Sequence, residues 1–336
     1  CSFTASEISL LIPGKYPLSP KSRLYQTKKR GEFADVTSKV APFLSEAGLV
    51  TDASFEDIDG DGLLDMVIGS EWGAIKIFRN TGNDFEDKTP ENLNSRRGWW
   101  KTVDLVDLNK DGLLDIVAGN NGLNFKFKAS PDEPFPVYVS DFDGSGDLDI
   151  VLGYHDEGKL FPVRGLQCSS QEMPFIKKKY PTYHEFASLD IPGLYGSALD
   201  TAVHLEVTDF SSYVFINKGD FAFEPIPLPF MAQMSAINAM LADDVDGDGN
   251  IDLLVGGNLL NTEVETPRND ASIGLLLKGD GTGNFTSLSH LESGINIIGE
   301  ITDLELIVTK DGPRYLVARN NLPMVVLKKT EPLKAE

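Results

Sequence analysis

Residues 57–65 read DIDGDGLLD and run straight into MVIG at 66–69. The loop carries side-chain oxygens at its positions 1, 3, 5 and 9, namely Asp57, Asp59, Asp61 and Asp65, with the main-chain carbonyl of Leu63 at position 7. Such an oxygen-only set is what a hard cation such as Ca²⁺ prefers. Position 6 is Gly62, and a chain folding around an ion needs a residue there that tolerates positive φ.

The same pattern returns three times: DLNKDGLLD at 107–115, DFDGSGDLD at 141–149 and DVDGDGNID at 244–252. The expected ligand sets are Asp107, Asn109, Asp111, Leu113 and Asp115; Asp141, Asp143, Ser145, Asp147 and Asp149; and Asp244, Asp246, Asp248, Asn250 and Asp252. Every copy has glycine at position 6 (Gly62, Gly112, Gly146, Gly249), an apolar residue at position 8, and then three apolar residues ending in Gly69, Gly119, Gly153 or Gly256. One Asp-Gly loop reads equally well as a hairpin turn. Four with one spacing point to metal, about four Ca²⁺ sites in all. Asn109 and Ser145 replace carboxylates, so the second and third sites are expected to bind more weakly than the first and fourth.

The residues after each loop exclude two rivals. An EF-hand needs a bidentate Glu at the twelfth position, where this chain has Ile68, Ala118, Leu152 and Val255. A dockerin-type loop leads into a helix, whereas these lead into short apolar, often β-branched runs that read as strands.

The loops start at 57, 107, 141 and 244, so successive starts lie 50, 34 and 103 residues apart. A degenerate copy is expected near residue 195, in 199–215. A second signature, a turn ending in Phe, recurs at Phe33, Phe85, Phe221 and Phe285. Seven units result, about 1–48, 49–97, 98–132, 133–186, 187–232, 233–296 and 297–336. Units of this length with several strands each read as blades of a β-propeller. Insertions are expected around 166–183 and 261–272. The fold class is therefore all-β, a seven-bladed β-propeller with calcium-binding blade loops, in one domain over 1–336.

Composition agrees with a folded chain: of 336 residues, 41% are hydrophobic and 24% charged, close to ordinary globular values. The net charge of −21 argues against nucleic acid, whose phosphates call for clustered Lys and Arg. The basic run Lys177, Lys178 and Lys179 reads as a solvated loop. Cys1 and Cys168 are the two cysteines, too few for a disulfide framework. No run approaches the length of a membrane span.

The loops, set between strands and repeated about every 50 residues, resemble the FG-GAP/VCBS repeats of integrin-α propellers and secreted bacterial proteins. PGKYP at 13–17, GWW at 98–100, GNNGLN at 119–124, QMSAINA at 233–239 and DASIGLLLKGDGTGNF at 270–285 resemble the bacterial branch associated with ASPIC/UnbV domains and cartilage acidic protein. The resemblance implies a seven-bladed propeller, calcium in the blade loops, and an extracellular, periplasmic or cell-surface location. The fifth and seventh units lack the loop and the first, from 8–14, lacks its acidic half. The chain is therefore expected to be the C-terminal part of a longer protein.

No catalytic constellation emerges. His155, His184, His204 and His290 are scattered, without His-Glu-x-x-His spacing, and no Gly-x-Ser-x-Gly elbow occurs. The expected function is a binding or scaffolding module for a protein or carbohydrate ligand. Trp99, Trp100 and Tyr154, with Trp72, are the candidate contact residues, although a Trp is ordinarily buried. The alternative, a lyase-like polysaccharide-active enzyme on a calcium-stabilised propeller, has only Arg96, Arg97, Tyr154 and His155 to draw on.

Overall fold

The computed structural model describes residues 16–262 and 266–329. Cys1, the 8–14 start of the first unit, the 13–15 part of the PGKYP stretch and the 263–265 part of the insertion expected at 261–272 lie outside the described residues. Among those described, the regular structure is dominated by six antiparallel sheets. The α-helical segments are short, the longest being Leu166–Glu172.

A hairpin of β1 (Tyr25–Lys29) and β2 (Glu32–Asp35) precedes the first four-stranded meander, β3 (Leu49–Glu56), β4 (Asp65–Gly73), β5 (Lys76–Asn80) and β6 (Phe85–Asp87). A short β7 (Gly98–Trp99) pairs with β4. The next sheet begins with β8 (Thr102–Val106) and β9 (Asp115–Gly119) but is completed only by β14 (Tyr213–Asn217) and β15 (Phe223–Pro227). Between them the chain builds a separate sheet from β10 (Phe135–Ser140), β11 (Asp149–Asp156), β12 (Lys159–Pro162) and β13 (Val203–Val207), in the order β12-β11-β10-β13. The chain continues through the meander β16 (Ile237–Asp243), β17 (Asp252–Gly257), β18 (Leu275–Gly279) and β19 (Phe285–Leu288), and the three-stranded β20 (Ile301–Thr309), β21 (Gly312–Arg319) and β22 (Leu322–Leu327).

This insertion corrects the unit boundaries in the middle of the chain. Units 98–132 and 187–232 are not separate sheets, because β8–β9 and β14–β15 share one, with β14 hydrogen-bonded to β9. The 34- and 103-residue spacings arise because the third loop belongs to the inserted sheet. No degenerate copy occupies 199–215: that stretch ends a 3₁₀ turn, forms β13 at the edge of the inserted sheet, and enters β14 of the interrupted one. The helical insertion expected at 166–183 is present and longer, running through Leu166–Glu172, Phe175–Lys179, Tyr183–Ala187 and Ile191–Tyr195. The expected seven units correspond to six sheets among the described residues.

Sheets meet neighbours through their first strands: β3 lies beside β8, β8 beside β16, and β16 beside β20. The core is accordingly a series of layers. Ile77, Trp100, Val103 and Phe215 fill the layer between the first meander and the interrupted sheet of β8, β9, β14 and β15, Val117, Val214, Leu253 and Leu277 the next, and Leu254, Ile301 and Val317 the one after. Second strands are sandwiched between layers, so β9 and β17 are buried along their whole length. That is why the sequence after the second and fourth loops is continuously apolar rather than alternating.

The glycine closing each apolar run has a packing reason. A Cβ on Gly119 would stand 2.4 Å from the Ile237 carbonyl oxygen, and one on Gly256 2.4 Å from Ile301 Cδ1. Both contacts are with the first strand of the following sheet, which approaches only because no side chain intervenes.

Candidate functional site

All four acidic loops connect the first and second strands of a hairpin: β3 to β4, β8 to β9, β10 to β11 and β16 to β17. No helix follows any of them.

Within each loop a fixed set of backbone N–H groups turns the acidic oxygens toward one point. The position-6 glycines take φ of +87°, +88°, +92° and +88°, and their N–H groups donate to Asp57, Asp107, Asp141 and Asp244 at 2.8, 3.0, 2.9 and 2.9 Å. The position-5 N–H donates to the position-3 side chain (Asp59, Asn109, Asp143, Asp246) at 2.9–3.1 Å. The position-7 N–H donates to Asp61, Asp111 and Asp248 at 2.9 Å and to the Ser145 hydroxyl at 3.3 Å.

Position 9 closes the loop. Asp65, Asp115, Asp149 and Asp252 are buried, and Oδ2 of each accepts the position-2 N–H, from Ile58, Leu108, Phe142 and Val245, at 3.0, 3.0, 2.9 and 3.1 Å. In three loops Oδ1 also accepts the N–H of the last residue of the third strand: Asn80, Asn217 and Gly279, at 2.8, 2.8 and 3.0 Å. Burial pushes all four carboxyls up from the usual aspartate range, against the opposing pull of these hydrogen bonds, with nearby acidic loop residues raising them further. An ion supplying positive charge would offset that burial.

The donor chemistry fits Ca²⁺. Ligand atoms of Asp57, Asp59 and Asp61, of Asp141, Asp143 and Asp149, and of Asp244, Asp246 and Asp248 lie within 4.8 Å of one another in each group, close enough to share an ion with bonds of about 2.3–2.6 Å. In the second loop Asn109 takes a carboxylate position, and its Nδ2 donates to Asp111 Oδ2 at 3.0 Å.

Two sets of residues were missed by reading the loops alone. Asn80 and Asn217 donate from Nδ2 to the position-8 carbonyls of Leu64 and Leu114, both at 3.0 Å, and accept the N–H of Gly82 and Gly219 at 2.9 Å. They stitch each loop to its Phe-ended turn, and their signal was the Asn-x-Gly that opens those turns. The others are Arg79 and Lys278. Arg79 pairs with Asp59 and, at 2.9 Å, with Asp61, while Lys278 pairs with Asp246 and, at 2.9 Å, with Asp248.

The proposed contact tryptophans are core residues. Trp100 is 0% and Trp99 7% exposed. Trp99 lies among Phe125, Phe127, Phe135 and Phe210, and Trp72 is buried edge-on to it. An indole so enclosed offers no face to a sugar. Tyr154 is exposed and, with His155, Lys126, Lys128 and Glu133, lines a cavity of about 520 Å³ in the inserted sheet. Arg96 is held by Asp209 and Tyr213, and Arg97 by Glu206. The grouping Arg96, Arg97, Tyr154 and His155 is therefore split between different surroundings.

Residues 57–118, which hold the first two loops, match the family model described as FG-GAP-like repeat. The match does not extend to the narrower ASPIC/UnbV-associated branch. No curated protein matches the chain. Among solved structures, the crystal structure of the V. cholerae biofilm matrix protein Bap1 is similar at 11% identity and a TM-score of 0.27, covering 87% of this chain and 40% of that one. The chain thus spans well under half the length of that protein, and a likeness at this score carries no argument. No helix among the described residues is long and apolar enough to cross a membrane.

Proposed function

We propose that this chain is a calcium-binding propeller module, working outside the cytoplasm at a cell surface or in an extracellular or periplasmic space, and that it binds or scaffolds a protein or carbohydrate partner. The observation that carries the reading is the fourfold recurrence of one oxygen cradle. In every copy the same backbone N–H groups orient positions 1, 3 and 5, and a buried aspartate closes position 9. The FG-GAP-like match over the first two loops supports the same assignment for the other two. The first-strand contacts between successive sheets suit blades around an axis. Sites this exposed stay loaded where calcium is abundant, as outside cells.

In this role the ions are structural. Asp57, Asp59, Asp61 and Asp65 and their counterparts hold them, and each ion would neutralise carboxylates that otherwise repel where two strands must meet. The partner would be met by loops and cavities rather than by the tryptophans, with Tyr154 the contact candidate that remains. The test is thermal unfolding of chelator-treated protein against added Ca²⁺, with Mg²⁺ as control and bound calcium counted in parallel. A Ca²⁺-specific rise in midpoint with about four ions bound is expected. No shift and no bound calcium would reduce the loops to turns and overturn the reading.

A further inference from the structure

The first and fourth loops differ from the other two in carrying carboxylates at all of positions 1, 3, 5 and 9: Asp57, Asp59, Asp61 and Asp65, and Asp244, Asp246, Asp248 and Asp252. The second and third carry three, with Asn109 and Ser145 in place of the fourth. Counting carboxylates alone ranks the first and fourth as the tighter calcium sites.

The neighbouring strand changes that ranking. In the first and fourth loops the third strand of the sheet places a cation on the extra carboxylates. Arg79, in β5, pairs with Asp59 and Asp61. Lys278, in β18, pairs with Asp246 and Asp248. The two occupy the same register, each just before the residue whose N–H reaches the position-9 aspartate, Asn80 and Gly279. In the second loop's sheet the residue at that register, before Asn217, is the buried Ile216. At positions 1, 3, 5 and 9 the one added negative charge of the first and fourth loops is thus matched by one added positive charge beside it, which brings them to the three of the second and third; the third loop has Asp147 besides, at position 7, where the main-chain carbonyl is the candidate donor.

We infer that Arg79 and Lys278 are resident counter-ions that hold the metal-free first and fourth loops together and compete with calcium for them, lowering the affinity that their extra carboxylate would otherwise give. Both side chains are partly exposed, and both cations touch positions 3 and 5, two of the positions that would face an ion. An entering ion must displace or share those contacts. Solvent-exposed pairs of this kind are individually weak, so the competition sets affinity without blocking the site. The fourth loop is further crowded by Lys110 of the second, which donates to Asn250 Oδ1 at 3.1 Å.

This inference rests on the calcium reading, and one set of variants separates the two. Full-length wild type, Arg79→Met and Arg79→Met/Asp61→Asn are titrated with Ca²⁺ by calorimetry, and each is melted in chelator and in saturating calcium. Arg79→Met should tighten one site by about fivefold and lower the midpoint in chelator while leaving the calcium-loaded midpoint in place. Restoring the charge count with Asp61→Asn should return both toward wild type. Lys278→Met should repeat this at another site, and Lys88→Met, whose partner is Glu86, should do neither. Wild type that binds calcium with Arg79→Met unchanged in affinity, or with both midpoints lowered alike, would overturn the counter-ion role alone. Wild type that binds no calcium would overturn the metal reading and this inference with it.

Discussion

Asp65, Asp115, Asp149 and Asp252 are both loop closures and candidate ligands, and the two roles respond to pH in opposite directions. Burial raises their carboxyls above the ordinary aspartate range. In chelator, the stability they contribute is therefore fully present below the unfolded-state value and is lost as pH rises from there through the raised folded-state value. With calcium bound the ionised form is the one held, so the metal-dependent gain in midpoint should grow as pH rises through and just above the usual aspartate range, then level off. Melting in chelator and in calcium across a pH series checks this, and a gain that shrinks with rising pH would contradict it. Replacement has a clear expectation as well. Asp65→Ala strands the N–H groups of Ile58 and Asn80, which at about 1–3 kcal/mol for each buried unpaired donor predicts a loss of roughly 2–6 kcal/mol in denaturant unfolding even without calcium. These loop-closing aspartates were legible in the sequence because one short loop contains the whole pattern. Arg79 and Lys278 were not, because a partner from a neighbouring strand has no fixed distance in the chain from the loop it serves.

At the scale of strands, the legible features were those carried by local pattern. Loop, apolar run and glycine identified the β3–β4, β8–β9, β10–β11 and β16–β17 hairpins, and the Phe-ended turns fell where expected, between β1 and β2, β5 and β6, β14 and β15, and β18 and β19. The Asn80 and Asn217 bridges show why loop and turn signatures travel together, since a single side chain bonds to both. The closing glycine is the element's contact with its neighbour. Gly119→Ala would press a methyl group against the Ile237 carbonyl, part of β16 and slow to give way. Overpacking of this sort costs about 1–3 kcal/mol, to be read as a lowered denaturation midpoint. An unchanged midpoint would mean that β9 and β16 slide apart freely, against the close packing of the Val117 and Ile237 layer.

For the whole molecule, strand pairing across a long insertion was the feature the sequence concealed. β9 meets β14 although the whole inserted sheet lies between them in the chain, and nothing in either strand's local pattern announces its partner. The resulting architecture is nearly one-dimensional: each sheet rests on the next through its own apolar layer, and the inserted sheet packs instead on Trp72, Trp99 and its own helices. When layers contact only neighbours, disturbance at one should fade with distance along the series. Asp141→Ala, which removes the first candidate ligand of the third loop, should then raise amide exchange in β10, β11 and β13 in protein held in calcium. Exchange in β20 and β21, which share no layer with the insertion, should stay as it was. Because β8 and β16 stand between these regions, a uniform rise across the chain would mean that the sheets unfold as one cooperative unit and that their layers are not independent.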